Sequence, residues 1–88
     1  MTGKWILYIL ECRDGTFYTG ITNDLFRRLN AHQAGKGAKY TRGRGPITLR
    51  YTEACESHSH ALHREIEVKK MTRQEKRALC QINNQAGE

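Results

Sequence analysis

The sequence predicts an α/β (α+β) fold: a small three-stranded sheet, mixed or antiparallel, accompanied by three helices. Three observations carry this. An unbroken apolar run near the start is too short for a helix that could bury itself, an Asp-Gly pair separates it from a second β-rich segment, and three stretches carry helical spacing or capping residues.

The run Trp5-Ile6-Leu7-Tyr8-Ile9-Leu10 has the β-branched and aromatic content of a central strand covered on both faces. Asp14-Gly15 closes a hairpin, residues 16–21 form the partner strand, and 47–53, following Gly45-Pro46, supply a third. A first helix follows Thr22-Asn23-Asp24, whose last member caps and charges its N-terminus, and runs to about Gln33 before Gly35 stops it. A second starts near Ser57 or Ser59 and runs to Lys70. A third opens on Thr72-Arg73-Gln74-Glu75, a capping-box pattern, with Ala78, Leu79 and Ile82 on one face. Residues 1–83 are expected to form one domain and 84–88 a frayed C-terminal tail.

With 88 residues, a net charge of +6 and 38% hydrophobic content, the chain fits one compact domain. A domain this small buries roughly 60–65% of its unfolded surface, which leaves no room for a large internal cofactor cavity. Function is expected on the surface or in a shallow cleft. The absence of a long apolar stretch or a secretory-type start points to a cytoplasmic protein without membrane contact. Three widely spaced cysteines, Cys12, Cys55 and Cys80, read as reduced thiols rather than a disulfide framework or a four-cysteine zinc site.

The positive charge is local. Residues 25–51 contain no acidic residue but hold Arg27, Arg28, Lys36, Lys39, Arg42, Arg44 and Arg50. Within them, residues 34–46 combine four glycines, the cations Lys36, Lys39, Arg42 and Arg44, and the aromatic Tyr40. Such a segment lets backbone N–H groups approach an anion, and these five side chains are the candidate nucleic-acid contacts. A phosphate-binding loop of the Walker type is excluded, because Gly35-Lys36 lacks the following Ser or Thr and the spacing.

Two polar residues break the helical pattern. On the second helix Ala61, Leu62, Ile66 and Val68 fall on one arc with Glu65 in its middle and Lys69 close by. Glu65 is either half of an i,i+4 pair with Lys69 at the margin of the core or a ligand for a hard divalent cation whose shell water and phosphate complete. On the first helix Leu25 and Leu29 read as core. Arg28 and His32 lie together along its edge, preorganised for phosphate, while Arg27 points elsewhere.

Leu7-Tyr8-Ile9, Tyr18-Thr19-Gly20, the segment from Asp24 through Arg28 to His32, and Arg64-Glu65 together resemble the GIY-YIG nuclease superfamily over nearly the whole chain. The resemblance is closest to small standalone bacterial members, and more distant to excision-repair nucleases and homing endonucleases. It implies a three-stranded sheet flanked by helices and metal-dependent hydrolysis of DNA phosphodiesters, on branched, damaged or single-stranded DNA in repair or recombination. It also implies Tyr8 and Tyr18 at the scissile phosphate, Arg28 on its charge, His32 lining the site, and Glu65 binding a single Mg²⁺ or Mn²⁺. With no space for a second binding domain, specificity is expected to be low or supplied by a protein partner. Ile6 stands where the family's first-motif glycine is usual, Thr19 replaces a larger aliphatic, and the asparagine that follows the metal-binding helix has no clear counterpart. The alternative is a nucleic-acid-binding module that keeps the fold with weak or no turnover.

A tyrosine of normal pKa near 10 is a poor base at neutral pH, so it must sit beside a cation, either Arg28 or a metal-bound water, that makes its phenolate accessible. A shared site also fixes the hairpin. A two-residue turn would place Tyr8 and Tyr18 on opposite faces; a three-residue Arg13-Asp14-Gly15 loop with Gly15 left-handed sets Tyr18 opposite Leu10 and Gly20 opposite Tyr8, so both phenols share one face. Gly20 would then leave space beside Tyr8 for a phosphate. His58, His60 and His63, with Cys55 nearby, lack a second ligand group at zinc-like spacing and read as a polar helix start.

Overall fold

The computed structural model describes residues 4–36, 43 and 45–86, the last five through their backbone alone. The elements run β1 (Trp5–Glu11), β2 (Phe17–Thr22), α1 (Leu25–Gln33), β3 (Thr48–Cys55), α2 (His58–Lys69) and α3 (Arg73–Ala86). All strand pairs are antiparallel and the order is β2-β1-β3, with the apolar run in the middle. Leu7, Tyr8, Ile9 and Leu10 are fully buried because each side of β1 is covered.

Side chains alternate across β1, so it divides the core in two. Leu7 and Ile9 pack with Cys55, Ala61, Val68 and Cys80, beneath α2 and α3. Tyr8 and Leu10 pack with Cys12 and Ile47 and meet Tyr18, Leu25 and Leu29, beneath α1. Burying side chains of this kind is worth about 1.5–3 kcal/mol each, so both layers hold the sheet.

The hairpin has the expected three-residue loop. Cys12 N donates to Thr16 O at 2.8 Å, Gly15 N donates to Cys12 O at 2.9 Å, and Gly15 has φ 85°. The register that follows pairs Tyr8 with Gly20 and Leu10 with Tyr18, bringing both tyrosines to one face. In β3 a bulge falls between the partners of Ile9 and Leu10, which are Tyr51 and Leu49. The extra residue, Arg50, donates through Nε to Glu11 at 2.7 Å. Arg50 is thus tied to an acid rather than adding to a one-signed surface.

The helix ends follow their capping residues. Asp24 accepts from Arg27 N at 3.2 Å, and α1 closes with Gly35 N on His32 O at 3.0 Å and Lys36 N on Ala31 O at 2.8 Å, Gly35 having φ 78°. Ser57 caps α2, and Thr72 and Glu75 form the reciprocal capping box of α3 at 2.8 and 3.1 Å. Two helical faces differ from expectation. On α2 the inward residues are Ala61 and Val68, while Leu62 and Ile66 are 40% and 52% exposed. Small Ala61 allows close approach to the sheet, which turns the arc away from its bulkier members. On α3 Leu79 and Cys80 face inward and Ala78 is exposed. The helix continues to Ala86, past the point where fraying is expected.

Candidate active site

The tyrosines owe their positions to β-strand alternation and to one glycine. A Cβ built on Gly20 would come 2.6 Å from Tyr8 Oη and 2.7 Å from Tyr8 Cζ, so the Tyr8 ring lies directly over the residue opposite it. The space that Gly20 leaves is therefore filled by Tyr8 itself and is not a phosphate gap. Gly20 acts through placement of the phenol, and its strand conformation is ordinary.

From the other side α1 lowers two groups onto the same face. His32 is buried, and its Nε2 lies 3.1 Å from Tyr8 Oη. The three rings form one cluster, with centroids 6.3 Å apart for Tyr8–Tyr18, 5.9 Å for Tyr8–His32 and 5.3 Å for Tyr18–His32. Burial, with the nearby Arg28 charge, pushes the His32 pKa below 6.5, so the imidazole is neutral at pH 7. Half-buried Arg28 favours both phenolates by hydrogen bonding and charge. Burial nevertheless outweighs it, and the pKa values of Tyr8 and Tyr18 both rise above 10. Of the two cations expected beside a tyrosine, Arg28 is thus in place but does not by itself lower either phenol below its usual value.

Glu65 completes the group. Its carboxylate raises both tyrosines electrostatically, and its side chain is only 18% exposed. It also pairs with Lys69 at 3.3 Å, the i,i+4 pair at the margin of the core. Among the described residues no three His, Cys, Asp or Glu side chains gather as a ready-made cage. One shielded carboxylate fits a hard divalent cation whose other ligands are water and substrate oxygens, with Lys69 giving way. Arg27 and Arg28 line a cleft of about 330 Å³ at the start of α1, with Thr22, Asn23 and Asp24. Lys36 is exposed just beyond α1, whereas Lys39, Tyr40, Arg42 and Arg44 fall outside the described residues.

A second polar cluster escapes the sequence reading. Tyr51 Oη donates to Glu53 Oε1 at 2.6 Å, and Arg64 Nε donates to Glu53 Oε2 at 2.8 Å while its Nη1 reaches Glu67 at 3.1 Å. Burial pushes the Glu53 carboxyl up, but the hydrogen bonds from Arg64 and Tyr51 hold it below its usual range. The Tyr51 hydroxyl is pushed up to about 12 by burial and Glu53. This cluster ties α2 to β3 at Arg64. Its signal in the sequence is Glu53, an acid on the inward-facing alternation of a strand. Elsewhere, His58 stacks on Trp5 at 4.3 Å between centroids, and His60 Nδ1 accepts from Glu56 N at 3.0 Å.

Comparison with known proteins agrees with this geometry. Residues 4–78 match the model of the GIY-YIG catalytic domain. The chain is 55% identical over 73 residues to UPF0213 protein VNG_2274C of Halobacterium salinarum, covering 83% of this chain and 95% of that protein. It is 56% identical over 70 residues to UPF0213 protein SAG0778 of Streptococcus agalactiae, covering 80% of each. The solution NMR structure of the UPF0213 protein BH0048 from Bacillus halodurans is similar with a TM-score of 0.58 at 49% identity, covering 90% of this chain and 84% of that one.

Proposed function

The chain belongs to the GIY-YIG family of catalytic domains, and from that membership we propose that it is a divalent-metal-dependent endonuclease that hydrolyses DNA phosphodiesters. The family implies nuclease-type activity on nucleic acid. The observation that carries the reading to this chain is convergence: Tyr8, Tyr18, Arg28 and His32 form one cluster, and Glu65 acts electrostatically on both phenols.

Each group has a chemical task. As water attacks, Tyr8 takes its proton while the Tyr8 hydroxyl proton passes to neutral His32 across 3.1 Å, in the tautomer that leaves Nε2 unprotonated; the P–O bond to the leaving oxygen breaks, and the proton held on His32 returns through Tyr8 to that oxygen. Because both protons move together between adjacent groups, no standing phenolate is required of a tyrosine whose pKa is raised. Arg28 faces the nonbridging oxygens, where a guanidinium offers paired donors to phosphate. Tyr18 flanks the phosphate on the same face. Glu65 would hold Mg²⁺ or Mn²⁺, which supplies Lewis-acid stabilisation of charge on the phosphoryl oxygens when bound.

We further propose branched, damaged or single-stranded DNA as substrates in repair or recombination, with a protein partner adding specificity. The basic segment carrying Lys36, Lys39, Tyr40, Arg42 and Arg44 would contact the DNA. Among the described residues no helix is long and apolar enough to cross a membrane, which is compatible with a cytoplasmic site of action. The second reading, a binding module with weak or no turnover, is favoured by one observation: Lys69 already occupies the Glu65 carboxylate at 3.3 Å.

Purified protein incubated with single-stranded, nicked, flap and branched DNAs, with and without Mg²⁺ or Mn²⁺, separates the two. The nuclease reading expects metal-dependent cutting of at least one substrate, abolished by Glu65→Gln with DNA retention kept. Retention without cutting under every metal leaves the binding module.

A further inference from the structure

The edge strand β2 is bordered by cations of α2 and α3. Phe17, half-buried at the start of β2, is shared by three adjoining grooves. One includes Arg73 and Lys76, another Arg77, and the third, about 300 Å³, includes Lys69, Lys76, Tyr18 and Thr19. Arg73, Lys76 and Arg77 make no ion pair with any described residue. The nearest acid on their own helix, Glu75, is occupied in capping Thr72 N at 2.8 Å. Arg73, Lys76 and Arg77 thus border one aromatic ring without an ion pair among the described residues, while Lys69 is shared with Glu65 at 3.3 Å and Glu11 lines the groove that holds Arg77.

Three further observations indicate what fits there. Arg77 lies over the Phe17 ring, 5.7 Å from its centroid, so the aromatic and the guanidinium already form one platform. Thr19 Oγ1 is buried among the described residues without a hydrogen-bond partner, although Thr19 lines the groove that also holds Lys69 and Lys76. Tyr18 lines that same groove and belongs to the ring cluster, so the groove begins where the tyrosine site ends. From Arg73 to Arg77 the helix rises about 6 Å, on the scale of one to two steps of about 3.4 Å along a nucleic-acid strand.

We propose that this groove holds the backbone of an unpaired nucleic-acid strand flanking the scissile phosphate, with Lys69, Lys76 and Arg77 on successive phosphates and Phe17 holding the Arg77 guanidinium in place. The proposal rests on the phosphodiesterase reading and assigns a strand path separate from the basic segment after α1. Arg73 plays a smaller part, because its Nη2 donates to Gly15 O at 2.8 Å and fastens the hairpin turn to α3. Cations beside an aromatic platform, with little base-edge readout, suit a sequence-tolerant single strand better than a duplex.

The test is fluorescence anisotropy with a labelled oligothymidylate in EDTA, across a series of KCl concentrations, alongside cleavage assays with metal. The double variant Lys76→Gln/Arg77→Gln should bind about tenfold more weakly at low salt, and its slope of log affinity against log salt should fall by about 1.4, two single-strand phosphate contacts. Lys76→Arg/Arg77→Lys should keep the wild-type slope, and Lys4→Gln, an exposed cation elsewhere, should change it little. An unchanged slope in the double variant, or an equal loss in Lys4→Gln, overturns the groove assignment; if the wild type still cuts DNA, the nuclease reading stands. A wild type that neither binds nor cuts removes the nuclease reading, and the groove assignment with it. Thermal melts confirm that each variant is folded.

Discussion

Two clusters of the same residue types lie in this small domain. Tyr51, Arg64 and Glu53 form one; Tyr8 and Tyr18 with Arg28 and Glu65 form the other, with His32 added. In the first, the partners are within the cluster, at 2.6 and 2.8 Å, and Glu53 is held ionised. In the second, Arg28 does not offset the burial of the phenols, and among the described residues Glu65 pairs with a surface lysine, 54% exposed. A phenol, a guanidinium and a carboxylate therefore make a fastening when they satisfy one another, and under the proposed function the same groups make a site when a substrate must complete them.

The contrast can be broken most severely at Gly20. Gly20→Ala drives a methyl group into Tyr8 Oη, and displacement of the reacting phenol by about 1 Å should lower single-turnover cleavage about 100-fold. Glu53→Gln attacks the fastening instead. It should cost about 1–3 kcal/mol in urea denaturation, because one of the two oxygens that accept from Arg64 and Tyr51 becomes an NH2 donor and the charge facing Arg64 is lost, while folded protein keeps its cutting rate within a few fold.

Acid separates the clusters by pH window. The His32 pKa is lower folded than unfolded, so the unfolded chain takes up the proton first and stability falls as pH drops below about 6.5. The Glu53 pKa is also lowered, so its contribution is present above about 4.5 and disappears below. Denaturation midpoints measured across pH should lose the upper limb in His32→Gln and the lower limb in Glu53→Gln. The smallest effect is expected at Thr19, where Thr19→Val removes an unpartnered buried hydroxyl and should stabilise the fold by about 1 kcal/mol.

Much of this was legible in the residue pattern. Strand alternation together with a left-handed Gly15 yields the shared tyrosine face, and capping residues yield the helix starts, because each signal is local. The role of Gly20 was not legible, since a missing side chain says nothing of which neighbour fills the space. The α2 face misled in the same way: Leu62 and Ile66 look like core by hydrophobicity, but the close approach permitted by Ala61 decides the rotation. The Tyr51–Glu53–Arg64 fastening depends on contacts between β3 and α2 that no single helical or strand period encodes.

The most direct measurement is the metal-dependent cleavage rate of Tyr8→Phe and Tyr51→Phe side by side on one DNA substrate, with both confirmed folded. The account predicts a loss of at least about 100-fold for Tyr8→Phe, on the scale of general-base contributions, and a change within a few fold for Tyr51→Phe. Wild-type cutting by Tyr8→Phe, or equal losses in the two variants, would contradict it.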